Sequence, residues 1–513
     1  MQSMLRVVKV ENGFVRGLPA ADPRITSFKG IPFAAPPVGE NRWRAPQPAK
    51  DWDGVFDAYT FAPISMQSPI HHNESNIYGR EWHVDPDTPM SEDCLYLNIW
   101  TPAHSPDEKL PVFVWYFGGG LQVGYTSEME FDGERLARRG IVVVTVNYRL
   151  NVFGFLCHPE ITAEAPEAPA NFGHLDQQFA TQWVKRNIAA FGGDPENITI
   201  GGQSAGGGSV LSQLTSPQNE GLVQRAIIQS GLFGRVYPGG RMPGYGRTLA
   251  EAEADGMQFF AFLGVSSLAE ARQLDAFYIR DKALDYKGFW GTVVDDVFCM
   301  GDGFDLFVEG KHLQVSVLFG HTSDEFYSAP NVKDLDELKQ MAVERFGDDA
   351  ATYLALCEAD AHDFEDVLKK ATLHSLEFAI RTAVQASSNW KTQEPLYYYV
   401  FDAEIPGWDQ PGAFHSVDLW FFFETLAKCW RPFVGKHYDL ARQMCDYWAN
   451  FIRSGDPNGK DMTGQDLPHW YPCTPDAPYA MVFDDEPKFV RQEPSPLMQF
   501  FVQEYFKQKQ YIF

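Results

Sequence analysis

The chain has 513 residues, is 44% hydrophobic and 14% aromatic, and carries a formal net charge of −26. That composition supports a large core and argues against disorder. The acidic balance leaves no basic footprint for nucleic acid or an anionic membrane. No apolar run approaches the ~18 residues that cross a bilayer, so no transmembrane segment is expected.

The first residues, MQSMLRVVKVENGFVRG, lack the apolar region and small-residue cleavage site of a signal peptide. The seven cysteines (94, 157, 299, 357, 429, 445 and 473) are scattered, with no C-x-x-C pair and no zinc-type spacing. The expectation is a cytoplasmic protein with reduced thiols.

In chain order, two runs stand out first: 111-PVFVWYF-117, which ends in Gly118-Gly119-Gly120, and 141-IVVVTVNY-148. Both are β-branched or aromatic and too short for helices, so they predict strands buried on both faces. The segment 174-HLDQQFATQWVKRNIAAFGG-193 has apolar residues at roughly helical spacing and closes on a glycine pair, which predicts a helix. Then 197-NITIGGQS-204 reads as a strand entering a tight turn, and 206-GGGSVLSQLTS-216 opens a helix. Further strands are expected at 224–231 and 395–404, with 313–325 a strand running into a loop, and further helices at 246–285, 335–383 and 436–453. Strands alternating with helices predict an α/β fold: a large, mostly parallel sheet with helices on both faces. No Pro/Gly/Ser linker divides the chain, so a single domain over 1–513 is expected, with insertions at about 235–290 and 330–395.

The segment 201-GGQSAGGGS-209 contains G-x-S-x-G between a predicted strand and a predicted helix, the setting of a nucleophile elbow. Small residues flank Ser204 because the turn leaves no room for side chains, and the helix behind it favours developing negative charge. A serine hydroxyl needs a base, and the base needs an acid, which this fold places later in the chain. His415, in the loop 411-PGAFHSVDLWFFFE-424, is the candidate base. In 320-GHTSDEFY-327, Asp324 and Glu325 both qualify as the acid by position. Gly118-Gly119-Gly120 after a buried strand, together with Ala205, offers backbone N–H donors for an oxyanion.

These pieces, with 29-KGIPFAAPPVGENRWRAP-46, 91-SEDCLYLNIWTP-102, 171-NFGHLDQQFATQWVKRNIAAFGGDPENITIGGQSAGGGSV-210 and 448-WANFIRSGDPN-458, run nearly end to end. They resemble the type-B carboxylesterases of the α/β-hydrolase superfamily, which include cholinesterases and para-nitrobenzyl esterases. The resemblance implies that fold and a serine carboxylesterase that needs no metal or cofactor. Glu325 is then the acid, in a loop of family form G-x-N-x-D-E-G, and His415 is the base. Gly119, Gly120 and Ala205 become the oxyanion donors, and Arg42 with Glu92 a structural ion pair. The chain departs from the pattern at Phe117, where many relatives have His, and at Gln203, where Glu is frequent. Thr322 stands for Asn and Phe326 for Gly. Secreted relatives pair the cysteine of SEDCL with one near position 66, where this chain has Met66, so Cys94 has no such partner.

The expected substrate is a small ester with an apolar or aromatic part. Phe117, Phe289, Trp290, Tyr327 and Trp420 are candidates to line its pocket, and Ser230 is expected to support the site from beneath. A feruloyl-type ester, lactone or carbamate would suit the same triad, and a non-catalytic cholinesterase-like binding protein is the alternative from another class.

Overall fold

A computed structural model describes residues 4–70, 73, 75–82, 84–237, 246–286 and 288–510. An 11-stranded sheet carries the fold. In chain order its strands are β1 (Leu18–Pro19), β2 (Thr26–Pro32), β3 (Tyr96–Thr101), β4 (Leu110–Tyr116), β5 (Val142–Val146) and β6 (Gly193–Gln203). They continue with β7 (Arg225–Gln229), β8 (Ser316–Thr322), β9 (Leu396–Phe401), β10 (Tyr479–Phe483) and β11 (Pro487–Arg491). The spatial order is β11-β10-β9-β8-β7-β6-β4-β5-β3-β2-β1. From β10 across to β5 every neighbour pair is parallel, as expected. Both margins are antiparallel: β11 on β10, and β5-β3-β2-β1 on the other side. Of these marginal strands β1, β2, β3 and β11 carry no long apolar run, which is why hydrophobic patterning points mainly to the centre; β10, YAMVF, is apolar throughout but short.

Alternation along β4 shows how the sheet is covered. Val112, Val114 and Tyr116 join one core with Trp183 and Val184 of helix α1 (Phe172–Asn187) and Val210, Leu211 and Leu214 of helix α2 (Ala205–Thr215). Phe113 and Trp115 join the other, with Met444, Trp448 and Phe451 of a later helix, Gly435–Ser454. Successive side chains of a strand face opposite ways, so a strand that is apolar at every position requires helices on both faces. The segments expected as insertions, about 235–290 and 330–395, contain helices, among them Leu249–Leu263 and Ala276–Asp285 in the first and Leu335–Phe346 and Ser375–Ser387 in the second. Residues 238–245 and 287 of the first insertion lie outside the described residues.

Among the described residues no helix is long and apolar enough to cross a membrane. All seven cysteines are free. Arg42 and Glu92 form a buried bidentate pair at 2.5 and 2.8 Å, and Arg42 Nη1 also donates to the carbonyls of Ala271 and Leu274. The pair thereby ties the amino-terminal region to the first insertion. A second buried pair, Arg149 with Asp176, was not indicated by any motif.

Candidate active site

Ser204 sits between β6 and α2 with φ 56° and ψ −127°. An L-residue held there is strained by about 1–3 kcal/mol, the usual cost of such backbone at functional sites. Its N–H donates to Gln229 O of β7 at 2.9 Å, which fixes the turn. The flanking glycines are steric requirements. A Cβ on Gly202 would lie 2.3 Å from Gly206 O, and one on Gly206 would lie 2.1 Å from Tyr116 O.

The structure brings Ser204, His415 and Glu325 together from three separate stretches. His415 Nε2 is 2.8 Å from Ser204 Oγ, and Nδ1 contacts Glu325 Oε2. The Glu325 side chain is fully buried. Its other oxygen, Oε1, accepts from Ser230 Oγ at 2.5 Å and from Thr322 N at 2.7 Å. Burial opposes ionisation of Glu325, but the charge of His415 and hydrogen bonds from His415 and Ser230 outweigh it and hold the carboxyl down at about 2. Glu325 is therefore ionised at neutral pH. Ser230 is fully buried beneath the site, in the supporting position expected of it.

Asp324, the other acid candidate, faces away from the imidazole. Its Oδ2 accepts from Ala413 N at 2.9 Å, and its own N–H donates to Ala413 O at 3.2 Å. It braces the loop that delivers His415. That contact explains Gly412, with φ 65°, where a Cβ would lie 2.4 Å from Asp324 Oδ2.

The glycine loop lies next to Ser204, since a Cβ on Gly118 would be 3.1 Å from Ser204 Cβ. Gly119 (φ 106°) and Gly120 (φ 65°) follow, both solvent-exposed, and a Cβ on Gly120 would meet nothing within 4 Å. Ala205 opens α2, so its N–H belongs to the unpaired first turn of that helix.

The proposed pocket residues divide. Phe117 and Trp420 are wholly buried and offer no wall to a substrate. Phe117 stacks on Tyr148 at 4.3 Å, whose hydroxyl donates to Phe117 O at 2.6 Å, so this aromatic pair supports the glycine loop from behind. Trp420 stacks on Trp82 and donates to Glu81 at 3.2 Å. Each is a large aromatic side chain close to the motif in sequence, and core packing claims such residues first. Trp290 is also buried, but its carbonyl accepts from Gln122 Nε2 at 2.5 Å, which links the first insertion to the glycine loop. Phe289 is half-buried, and its carbonyl accepts from Arg247 at 2.9 Å. Tyr327 is exposed and packs against His374.

Three contacts at the site have no signal in the sequence. Gln203 places its amide nitrogen 3.4 Å from His415 Nε2. Tyr78 donates to His415 O at 3.4 Å, and burial, with the nearby charges of Glu325 and Glu81, pushes its phenol up to about 12. The rings of His321 and His374 lie 4.0 Å apart behind the acid loop. Nitrogen atoms of these two rings and an oxygen of Glu325 fall within 4.8 Å of one another, a spacing that suits a metal. The donors are already committed, however. His321 Nδ1 and His374 Nε2 both hydrogen-bond to Thr322 O, at 2.8 and 3.1 Å. His321 Nε2 pairs with Tyr398 Oη at 2.8 Å, and His374 Nδ1 accepts from Glu377 N at 3.3 Å. Burial pushes both imidazoles down, His321 to about 3, so the pair is a neutral clamp on the acid loop.

A strained serine at a strand-to-helix turn, backed by a histidine and a buried carboxylate, is the constellation of a serine hydrolase on an α/β-hydrolase sheet. The chain belongs to the carboxylesterase family, whose model matches residues 5–501. It is 32% identical to a fumonisin B1 esterase of Sphingopyxis macrogoltabida over 87% of this chain and 82% of that protein. It is 33% identical to the acetylcholinesterase of Bungarus fasciatus over 88% and 78%. Among solved structures it is similar to a PNB esterase, with a TM-score of 0.78, 27% identity and coverage of 97% and 99%. A carboxylesterase of Geobacillus stearothermophilus gives a TM-score of 0.74 and 31% identity, covering 97% of this chain and all of that one. Ester hydrolysis is the activity of the class.

Proposed function

We propose that this chain hydrolyses carboxylic esters through an acyl-enzyme on Ser204. The observation that carries this reading is the continuous relay Ser204–His415–Glu325. Ser204 Oγ attacks the ester carbonyl while His415 Nε2 takes the hydroxyl proton. The backbone N–H groups of Gly119, Gly120 and Ala205 receive the oxyanion. The intermediate collapses, the C–O bond to the alcohol breaks, and His415 returns the proton to the leaving oxygen. Water then enters, His415 takes one of its protons as the oxygen attacks the acyl carbon, and collapse breaks the bond from that carbon to Ser204 Oγ while His415 returns the proton to Oγ. Glu325, ionised throughout, orients the imidazole and stabilises its charged form. No step calls for a metal or a redox cofactor.

The relatives' names differ in the ester each acts on, so the family bounds the bond cleaved and leaves the substrate open. Seven free cysteines support a reducing compartment, consistent with a cytoplasmic site.

A fluorophosphonate probe with mass mapping tests the nucleophile. Covalent capture at Ser204, lost in Ser204→Ala along with turnover of p-nitrophenyl acetate, is the expected result. Turnover by a folded Ser204→Ala protein at near wild-type rate would refute it.

A further inference from the structure

We propose that Phe326 is a specificity-determining residue that favours esters with a flat, apolar leaving alcohol; this rests on Ser204 and His415 carrying the chemistry. Phe326 follows the acid Glu325 directly, at a position where the family pattern has glycine. Its φ is 46°, in the left-handed region that disfavours a bulky side chain. The chain thus carries a large aromatic residue where glycine would be free of strain.

The backbone on either side explains how the ring is aimed. Glu325 must point at His415, and Tyr327–Ser328 must pair antiparallel with Leu373–His374. The left-handed residue makes that reversal. Phe326 O is pinned by Ser375 N at 3.0 Å. The ring is thrown back onto the catalytic imidazole, with centroids 4.5 Å apart and planes at 69°. Its second neighbour is Phe233, at 5.8 Å and nearly perpendicular. Phe326 remains 36% exposed, so part of its ring is available to a bound molecule.

Geometry assigns what lies there. The leaving oxygen must come within hydrogen-bond reach of His415 Nε2 to receive its proton. The alcohol portion of the ester therefore runs along the imidazole, beside the Phe326 ring. A planar apolar group can stack or pack edge-on against that ring, whereas a short aliphatic alcohol leaves it in water.

The test compares kcat/KM for benzyl acetate and ethyl acetate, which share the acetyl group and an alkyl C–O bond. In Phe326→Leu and Phe326→Gly the benzyl-to-ethyl ratio is expected to fall about three- to tenfold, the scale of one aromatic contact. Phe326→Tyr, which keeps the ring, should retain the ratio. A fall of less than threefold in both ring-deleted variants overturns the proposal, as does an equal loss on both substrates, which would make the ring a support for His415 only. Phe326→Gly relieves the left-handed strain, so its melting temperature should match or exceed that of the parent and it serves if the leucine variant folds poorly. If Ser204→Ala instead retained turnover, the acyl-enzyme reading would fail, and that outcome is separate from any change in the ratio.

Discussion

The side-chain amide of Gln203 stands 3.4 Å from His415 Nε2, the same nitrogen that lies 2.8 Å from Ser204 Oγ. If the imidazole carries its proton on Nδ1, facing Glu325, its Nε2 lone pair faces both neighbours. Once Nε2 takes the serine proton, an amide N–H facing it gives no stabilisation. A carboxylate at this position would instead favour the charged imidazole before substrate reacts. In Gln203→Glu the acid limb of kcat/KM is therefore expected to move to higher pH, on the order of one unit for an opposite charge this close. Steady-state rates on p-nitrophenyl acetate from pH 5 to 9 check this. An unchanged limb would mean that the new carboxyl is itself protonated there.

Ser230→Ala removes the 2.5 Å donation to Glu325 Oε1 and leaves Thr322 N as the remaining donor to that oxygen. A hydrogen bond to a buried charge contributes roughly 1.5–3 kcal/mol, so kcat should fall about 10- to 100-fold with KM little altered. A loss below threefold would show that the Thr322 N–H alone keeps Glu325 oriented.

Arg42→Met leaves Glu92 as a buried carboxylate without its bidentate partner. Breaking such a pair from one side costs about 3–5 kcal/mol, which urea unfolding would register. The pair lies in the scaffold, so the fluorophosphonate labelling rate of the folded fraction should not change. Parental stability would show that Glu92 reaches water once Arg42 is gone.

Asp418 is fully buried, accepts from Tyr399 Oη at 2.8 Å and from Gln229 Nε2 at 3.3 Å through Oδ2, and its Oδ1 has no partner among the described residues. Burial first, then the charge of Glu325, pushes its carboxyl up to about 6 from an ordinary 3.8. A raised acid favours the folded state in its protonated form. Its contribution is thus fully present below about pH 3.8 and lost as pH rises through about 6. Asp418→Asn should melt higher than the parent at pH 8 and differ little at pH 4. Glu325 has the opposite sign: its contribution holds above 4.5 and is lost as pH falls toward about 2. Thermal melts across pH that show no gain for Asp418→Asn at pH 8 would mean the carboxylate is solvated there.

The central strands and the elbow were legible because each is a local statement. Val112 to Tyr116 are apolar at every position, and only a strand covered on both faces accommodates that. The glycines around Ser204 record a turn that no side chain fits. The marginal strands β1 and β11 were less legible although their partners are near in sequence, Leu18 on Ser27 and Arg491 on Tyr479, because each is short or largely exposed and lacks an apolar run. Phe117 and Trp420 were misplaced for a related reason. An aromatic residue beside a motif looks the same in sequence whether it lines a cavity or fills the core.

By itself, the sequence determined the chemistry on offer: a serine in a turn that strains it, glycines upstream whose backbone is bare, and a histidine and two carboxylates downstream. Family resemblance preferred Glu325, but residue types alone left Asp324 beside it as an equal. Tertiary structure decided between them. Consecutive residues in this loop point in different directions, so Asp324 braces Ala413 while Glu325 reaches His415. Only tertiary structure put Gln203 and Phe326 against the imidazole as well, because those contacts span loops on separate strands whose relative position is set by the packing of the whole sheet.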